Sequence, residues 1–279
     1  MPPLFASIEL ARRIEAAETR MVAQCVAAAQ RSDPQSSVFL REFGGGIAAA
    51  TFPGSPLNKV AGLGFEAVPD ATAFAAVEAE LLARCGAVQV ELAHLAEPQL
   101  GAELTARGYR LCGYENVLGL RLPVDATPLA PGVAVRHAAA DEAELWVQCV
   151  VDGFAVPDTQ GIASHESFPR ELVERACRDS AAAGLSLYVA TRDSAWAGAA
   201  SMRLDDGLAQ LCGAATRLEH RRRGVQTALL ARRLTEAAAA GCDLAVMTCL
   251  PGSKSHQNAQ ARGFELLYTR AVLVLEARC

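Results

Sequence analysis

A fifteen-residue stretch of this chain occurs twice in related form. Ala106-Arg-Gly-Tyr-Arg-Leu111, ending Val117-Leu-Gly-Leu120, aligns with Ala261-Arg-Gly-Phe-Glu-Leu266, ending Val272-Leu-Val-Leu275, at a constant offset of 155 and with seven of fifteen positions identical. Such a repeat implies the same supersecondary unit in both places, so the chain is expected to hold two related α/β halves. With 279 residues, 51% of them apolar, both halves have enough material for a core. The segment between the copies carries Pro123, Pro128 and Pro131 and reads as a linker. The expected organisation is a first domain over 1–122, a linker over 123–131 and a second domain over 132–279.

Hydrophobic spacing fills in the elements. Leu10, Ile14, Ala17, Met21, Cys25 and Ala28 predict a helix over 7–30. Strands are expected at 36–41, 46–52 and 58–64, then a helix capped by Asp70 and ended at Gly86, a strand at 88–92, a helix at 97–107 and a long extended stretch at 109–122. The second half begins with a strand at 133–136 and a helix from Asp141 with Glu144 as its capping-box partner, its core face being Leu145, Cys149 and Val150. A loop over 152–167, a helix at 168–178 opened by Pro169, and a three-strand meander at 185–191, 196–203 and 208–216 follow. A helix over 222–240, a strand at 243–249, a short helix at 253–262 and a strand at 264–276 end the chain.

The chemistry concentrates between the meander and the long helix. Arg221-Arg-Arg-Gly-Val-Gln226 sits where the first helical turn begins, so unpaired backbone N–H groups and the positive end of the helix dipole point the same way. Three arginines there oppose the dipole unless an anion joins them, and a phosphate or pyrophosphate satisfies both requirements. Gly224 admits the ligand without a Cβ in the way. The equivalent segment of the first half, Glu66-Ala-Val-Pro-Asp-Ala71, has no glycine, carries two acids and includes a proline lacking an N–H. It is not a cradle for pyrophosphate, so the second half is read as the cofactor-binding one.

These residues resemble the (Arg/Gln)-x-x-Gly-x-(Gly/Ala) acyl-CoA loop of the GNAT superfamily of N-acyltransferases, with Gln226 where Gly or Ala is usual. The element order of the second half is also that of the GNAT fold. The resemblance implies a mixed α/β (α+β) architecture of two GNAT-like domains, each a mostly antiparallel twisted sheet flanked by helices, the first degenerate. It implies acetyl-CoA as acyl donor, held by Ala214, Ala215 and Thr216 at a strand end, by Arg221, Arg222, Arg223, Gly224, Val225, Gln226 and Thr227 in the loop, and by Ser255 and Asn258. The acceptor is expected to be a primary amine, preferably of a small molecule, attacking the thioester directly.

The general acid is the weak point. The tyrosine that many members carry four residues before the Gly-Phe pair is replaced by Ala259, which leaves Tyr268, His256 or a water to protonate the departing thiolate. Base candidates are Asp152, Asp158, His165, Glu166 and Glu115. A non-catalytic acyl-CoA sensor, or a basic loop for another nucleotide or a phosphoprotein, stays open beside the enzyme.

Composition narrows the rest. A net charge of -5 argues against nucleic acid. Apolar runs are too short to span a bilayer, and the N-terminus lacks a signal-peptide pattern. Nine cysteines without a Cys-x-x-Cys pair indicate neither zinc nor a disulfide framework, so no metal and a reduced, cytoplasmic setting are expected. A homodimer stays open.

Overall fold

The computed structural model describes residues 4–125, 127–156, 160–162 and 168–277. The chain order is α1 (Ile8–Ser32), β1 (Phe39–Phe43), β2 (Gly46–Ala50), β3 (Lys59–Ala61), α2 (Ala71–Cys85), β4 (Ala87–Ala93), α3 (Gln99–Ala106) and β5 (Arg110–Arg121) in the first half. The second half holds β6 (Val133–His137), α4 (Ala143–Ala155), α5 (Arg170–Ala182), β7 (Ser186–Arg192), β8 (Ala195–Asp205), β9 (Leu208–Thr216), α6 (Val225–Ala239), β10 (Leu244–Cys249), α7 (Lys254–Gln260) and β11 (Glu265–Glu276). The 155-residue offset carries β5 onto β11, α3 onto α7 and α2 onto α6 to within a residue or so. The expected mixed α/β class, a twisted open sheet flanked by helices, is what the structure shows.

The two halves share one sheet. Its order is β1-β2-β3-β4-β11-β5-β10-β9-β8-β7-β6, with parallel pairing only between β3 and β4 and between β9 and β10. The repeated strands are exchanged: β11 lies between β4 and β5, and β5 lies between β11 and β10. Each half therefore completes the sheet of the other. The sequence placed β5 and β11 at the ends of their own halves, because strand pairing is long-range and leaves no local mark.

Helix α1 crosses this sheet diagonally, and its side chains follow the crossing. Glu15 accepts from Tyr268 and Arg270 of β11, Glu18 faces Gln210 and Met21 faces Cys212 of β9, and Gln24 accepts from Arg203 of β8. Cys25 then meets Ser180 of α5. The helix starts at Ser7, whose Oγ accepts from Leu10 N, so the expected span of 7–30 is two residues short at its C-terminal end.

Three expectations about α4 need correction. The N-terminal acid that turns back is Glu142, which accepts from Ala139 N at 2.7 Å and pairs with Arg136, whereas Glu144 reaches across to Arg178. Leu145 is 54% exposed, and the buried face is Trp146, Val147, Cys149, Val150 and Val151. The helix also continues to Ala155, into what was expected to be loop.

Candidate functional site

The sheet opens at one place. β9 and β10 pair only from Leu208↔Leu244 to Gln210↔Val246, although β9 runs on to Thr216 and β10 to Cys249. β9 also carries a bulge: Ala199 pairs with Ala215 and Ser201 with Cys212, so Gly213 and Ala214 together face Ala200. Gly213 adopts φ +40°, the left-handed region that glycine enters cheaply. From α6, Arg233 pins this irregular backbone by donating to the carbonyls of Ser201 (3.0 Å), Cys212 (3.4 Å) and Leu229 (3.1 Å). It is 2% exposed, and burial lowers its pKa to about 10.

The basic loop follows the splayed end of β9. A 3-10 turn over Leu218–His220 leads to Arg222 at φ +59° and Gly224 at φ +82°, and the first bond of α6 runs from Ala228 N to Gly224 O. Among the described residues the N–H groups of Val225, Gln226 and Thr227 have no acceptor, and α6 has no side-chain cap. Alternating backbone sign with unspent N–H groups is an anion-binding concavity. A Cβ on Gly224 would stand 2.6 Å from the Ala130 side chain in a conformation L residues avoid. Helix α6 begins three residues later than the sequence suggested, because these turns hold residues 222 and 224 out of the helix.

The matching helix of the first half is closed. Asp70 accepts from Ala73 N at 2.8 Å and occupies the N-terminus of α2 with its own carboxylate. The repeated arginines diverge in the same way. Arg107 is neutralised by Glu78 at 2.6 Å, whereas its equivalent Arg262 donates to Thr227 Oγ1 at 2.9 Å, and the position equivalent to Glu78 is Arg233.

A cavity of about 1280 Å³ connects these features. Of the residues expected at a cofactor, Ala214, Ala215, Thr216, Arg221, Arg222, Gly224, Val225, Gln226, Thr227, Ser255 and Asn258 all line it. Arg223 is exposed and lies outside its wall. Arg221 turns inward: its guanidinium donates to the carbonyls of Thr216 (3.3 Å), Gly153 (2.9 Å) and Val156, tying the loop to α4. Of the three arginines, Arg221 and Arg222 thus reach the cavity and Arg223 does not, and Lys254 and Arg262, which sequence reasoning missed, join them at the wall. The signal for Arg262 was present, since it belongs to the repeat. Thr216 Oγ1 and His220 Nδ1 are buried at this wall without a partner among the described residues.

Neither named catalytic candidate faces the cavity. Tyr268 is 1% exposed, its hydroxyl donates to Glu15 at 2.7 Å, and burial raises its pKa well above the ordinary value, so it is a core residue under α1. His256 Nδ1 accepts from Gly252 N at 3.0 Å within its own turn, and its ring lies outside the wall. Ala259, where the resemblance implies a tyrosine, is buried. Cys249 is buried and its thiol is raised to about 11. Asp152 is paired with Arg170 and Arg217, and His137 with Glu236. Asp158, His165 and Glu166 lie outside the described residues. Glu115 stands on β5 beside the end of β10, where Asn116 pairs with Cys249; burial first, then the Glu91 charge, raises its carboxyl to about 7.

Residues 154–264 match the family model described as the acetyltransferase (GNAT) family. Among solved structures, a tandem GNAT protein from the clavulanic acid biosynthesis pathway superposes with a TM-score of 0.62 at 15% identity, over 98% of this chain and 94% of that one. A GCN5-related N-acetyltransferase from Kribbella flavida gives 0.61 at 19% identity, over 93% and 96%. One from Sphaerobacter thermophilus gives 0.54 at 15% identity, over 75% of this chain and 66% of that one. No curated protein matches the sequence. No helix among the described residues is long and apolar enough to cross a membrane, and no group of three or more potential metal ligands occurs among them.

Proposed function

We propose that this protein, whose residues 154–264 match the GNAT acetyltransferase model, transfers an acyl group from acyl-CoA to a primary amine of a small molecule. Acetyl-CoA is the smallest donor the reading admits. The observation that carries the proposal is the uncapped N-terminus of α6, with three N–H groups unspent among the described residues, the φ +82° of Gly224 and the Arg222, Lys254 and Arg262 cations around it. The equivalent N-terminus in the first half is closed by Asp70.

In this reading the pyrophosphate rests on the N–H groups of residues 225–227, and the pantetheine arm follows β9 to the bulge at Gly213 and Ala214. The thioester then lies in the splay between β9 and β10, where freed backbone N–H groups polarise its carbonyl. Amine attack forms the C–N bond, the tetrahedral intermediate collapses, and the C–S bond breaks to release CoA thiolate. Glu115, next to Asn116 at the end of β10 but outside the cavity wall, is the proposed acceptor of the ammonium proton through a relaying water, its buried carboxyl being raised to about 7. The thiolate takes its proton from solvent, as the cavity wall holds no tyrosine among the described residues.

A second reading, a CoA-binding protein without turnover, is favoured by the burial of Tyr268 and by Ala259. Thermal unfolding with and without CoA, for the wild type and Gly224→Glu, tests the cradle common to both. Ligand at about a hundred times its Kd adds roughly 2.7 kcal/mol. A shift in the wild type that vanishes in the variant supports the site, and no shift in either sinks it. CoA release on adding amines then separates enzyme from sensor.

A further inference from the structure

The cavity extends past the point where a thioester would sit. Beyond the β9 bulge it continues between α1, α4 and α5, where Met21, Cys25, Trp146, Val150, Cys177 and Ser180 form its walls. These side chains are neutral, and Trp146, Val150 and Cys25 are 2% exposed or less. Most cations of the cavity belong to its other end, Arg221 and Arg222 in the loop before α6 and Lys254 and Arg262 at α7 and the turn after it; Arg170, in the first turn of α5, also reaches the wall but is paired with Asp152 and Glu174. Among the described residues, no aspartate or glutamate lines any part of the cavity.

Polarity is therefore sorted along one continuous space, with an anion cradle at one end and an apolar chamber at the other. Its volume of about 1280 Å³ exceeds the roughly 300–1,000 Å³ of an ordinary small-molecule pocket. Without a carboxylate the chamber gives an ammonium ion nothing to pair with, and desolvating that charge there is costly. A hydrocarbon tail meets neither penalty. The chamber thiols share that character, since burial raises Cys25 to about 11 and Cys212 to about 12, which keeps both neutral.

Resting on the acyl-CoA reading above, we propose that the apolar chamber between α1, α4 and α5 takes the hydrocarbon chain of an acyl-CoA donor longer than acetyl. The chain is covalently continuous with the group held by the cradle, as the chamber is continuous with the cavity. The acceptor amine then enters from the Glu18 and Glu115 side of the splayed strands, where the carboxylates are.

The test is equilibrium binding of free CoA, acetyl-CoA and octanoyl-CoA to the full chain. Each buried methylene contributes up to about fourfold in affinity, so octanoyl-CoA is expected to bind at least about tenfold tighter than acetyl-CoA. Cys177→Phe and, separately, Ser180→Phe fill the chamber and should erase that gain; free-CoA binding, which uses the cradle, reports that each variant is folded. Free CoA bound with no gain from octanoyl-CoA would overturn the chamber proposal alone. Failure of free CoA to bind the wild type would overturn the cradle reading beneath it. Faster acetyl transfer to octylamine than to ethylamine, without an octanoyl-CoA gain, would assign the chamber to the acceptor and overturn the proposal.

Discussion

Glu115 and Arg270 occupy equivalent positions of the two repeats and stand opposite each other where β5 pairs with β11, with Arg270 Nη1 3.7 Å from Glu115 Oε2. They mark the centre of the internal pseudo-symmetry. The position is an acid in one copy and a base in the other, so the symmetry of the backbone is broken in charge where the two copies meet. Arg270 also binds Glu15 at 2.8 Å and faces Glu91 at 3.7 Å, and Lys59 completes the group at 2.6 Å from Glu91.

Arg270→Leu is expected to destabilise the protein by about 3–5 kcal/mol, since it strands Glu15, 1% exposed, without its cation, while Glu91 keeps Lys59. Urea unfolding at neutral pH measures this. Adding Glu15→Gln should recover part of the loss, because the double variant buries one charge fewer.

Glu115 gives a pH dependence of definite sign. Its folded pKa is raised to about 7, so between the ordinary carboxylate range and pH 7 the folded state holds a proton that the unfolded state has released. Its contribution is fully present at low pH and is lost as pH rises through 7. Lys59 and Arg270 oppose the shift, while Glu91 and Glu18 add to it. Glu115→Gln keeps shape and cannot ionise, so its melting temperature should gain on the wild type from pH 5 to pH 8. As a general base Glu115 should also control the acidic limb of the rate, and Glu115→Gln should flatten that limb while leaving the Kd for CoA within about twofold. An unchanged pH profile would remove Glu115 from catalysis.

Arg221 and Arg222 are adjacent and should behave differently. Arg221→Ala removes donors to three carbonyls that hold the loop against α4, and should lower stability by about 1–3 kcal/mol. Arg222→Ala should leave the melting temperature of the free protein unchanged and weaken CoA binding several-fold, more so at low salt. Denaturation and titration calorimetry on the two variants separate the roles.

Arg233→Met should be costly although it places an apolar side chain in a buried site. The Ser201 and Cys212 carbonyls lose their donor at the bulge, at about 1–3 kcal/mol for each group left unpaired. Because those carbonyls shape the splay, CoA binding should weaken in parallel. Unfolding and CoA titration on one sample check both.

How much of this could be read from the chain divides along physical lines. Signals that are local in sequence were legible: the repeat, Asp70 at a helix start, Gly86 at a helix end, the meander, and the turn into a helix at Gly224. Each depends on backbone geometry or side-chain periodicity over a few residues. The sequence also set the two halves apart at the loop, because Asp70 caps one helix N-terminus and Gly224 leaves the other without a side-chain cap.

Only the tertiary structure decided what depends on pairing across the chain. It exchanged β5 and β11, because either strand satisfies the same hydrogen-bonding edge and nothing in its own residues names the partner. It turned Arg221 inward onto backbone carbonyls and left Arg262 at the cavity, where its repeat equivalent Arg107 is held by Glu78. It buried Tyr268 beneath Glu15, brought Glu115 to the end of β10, and enclosed the apolar chamber beneath α1. Periodicity tells which face of an element is apolar; which other face it meets is fixed by the packing of the whole sheet.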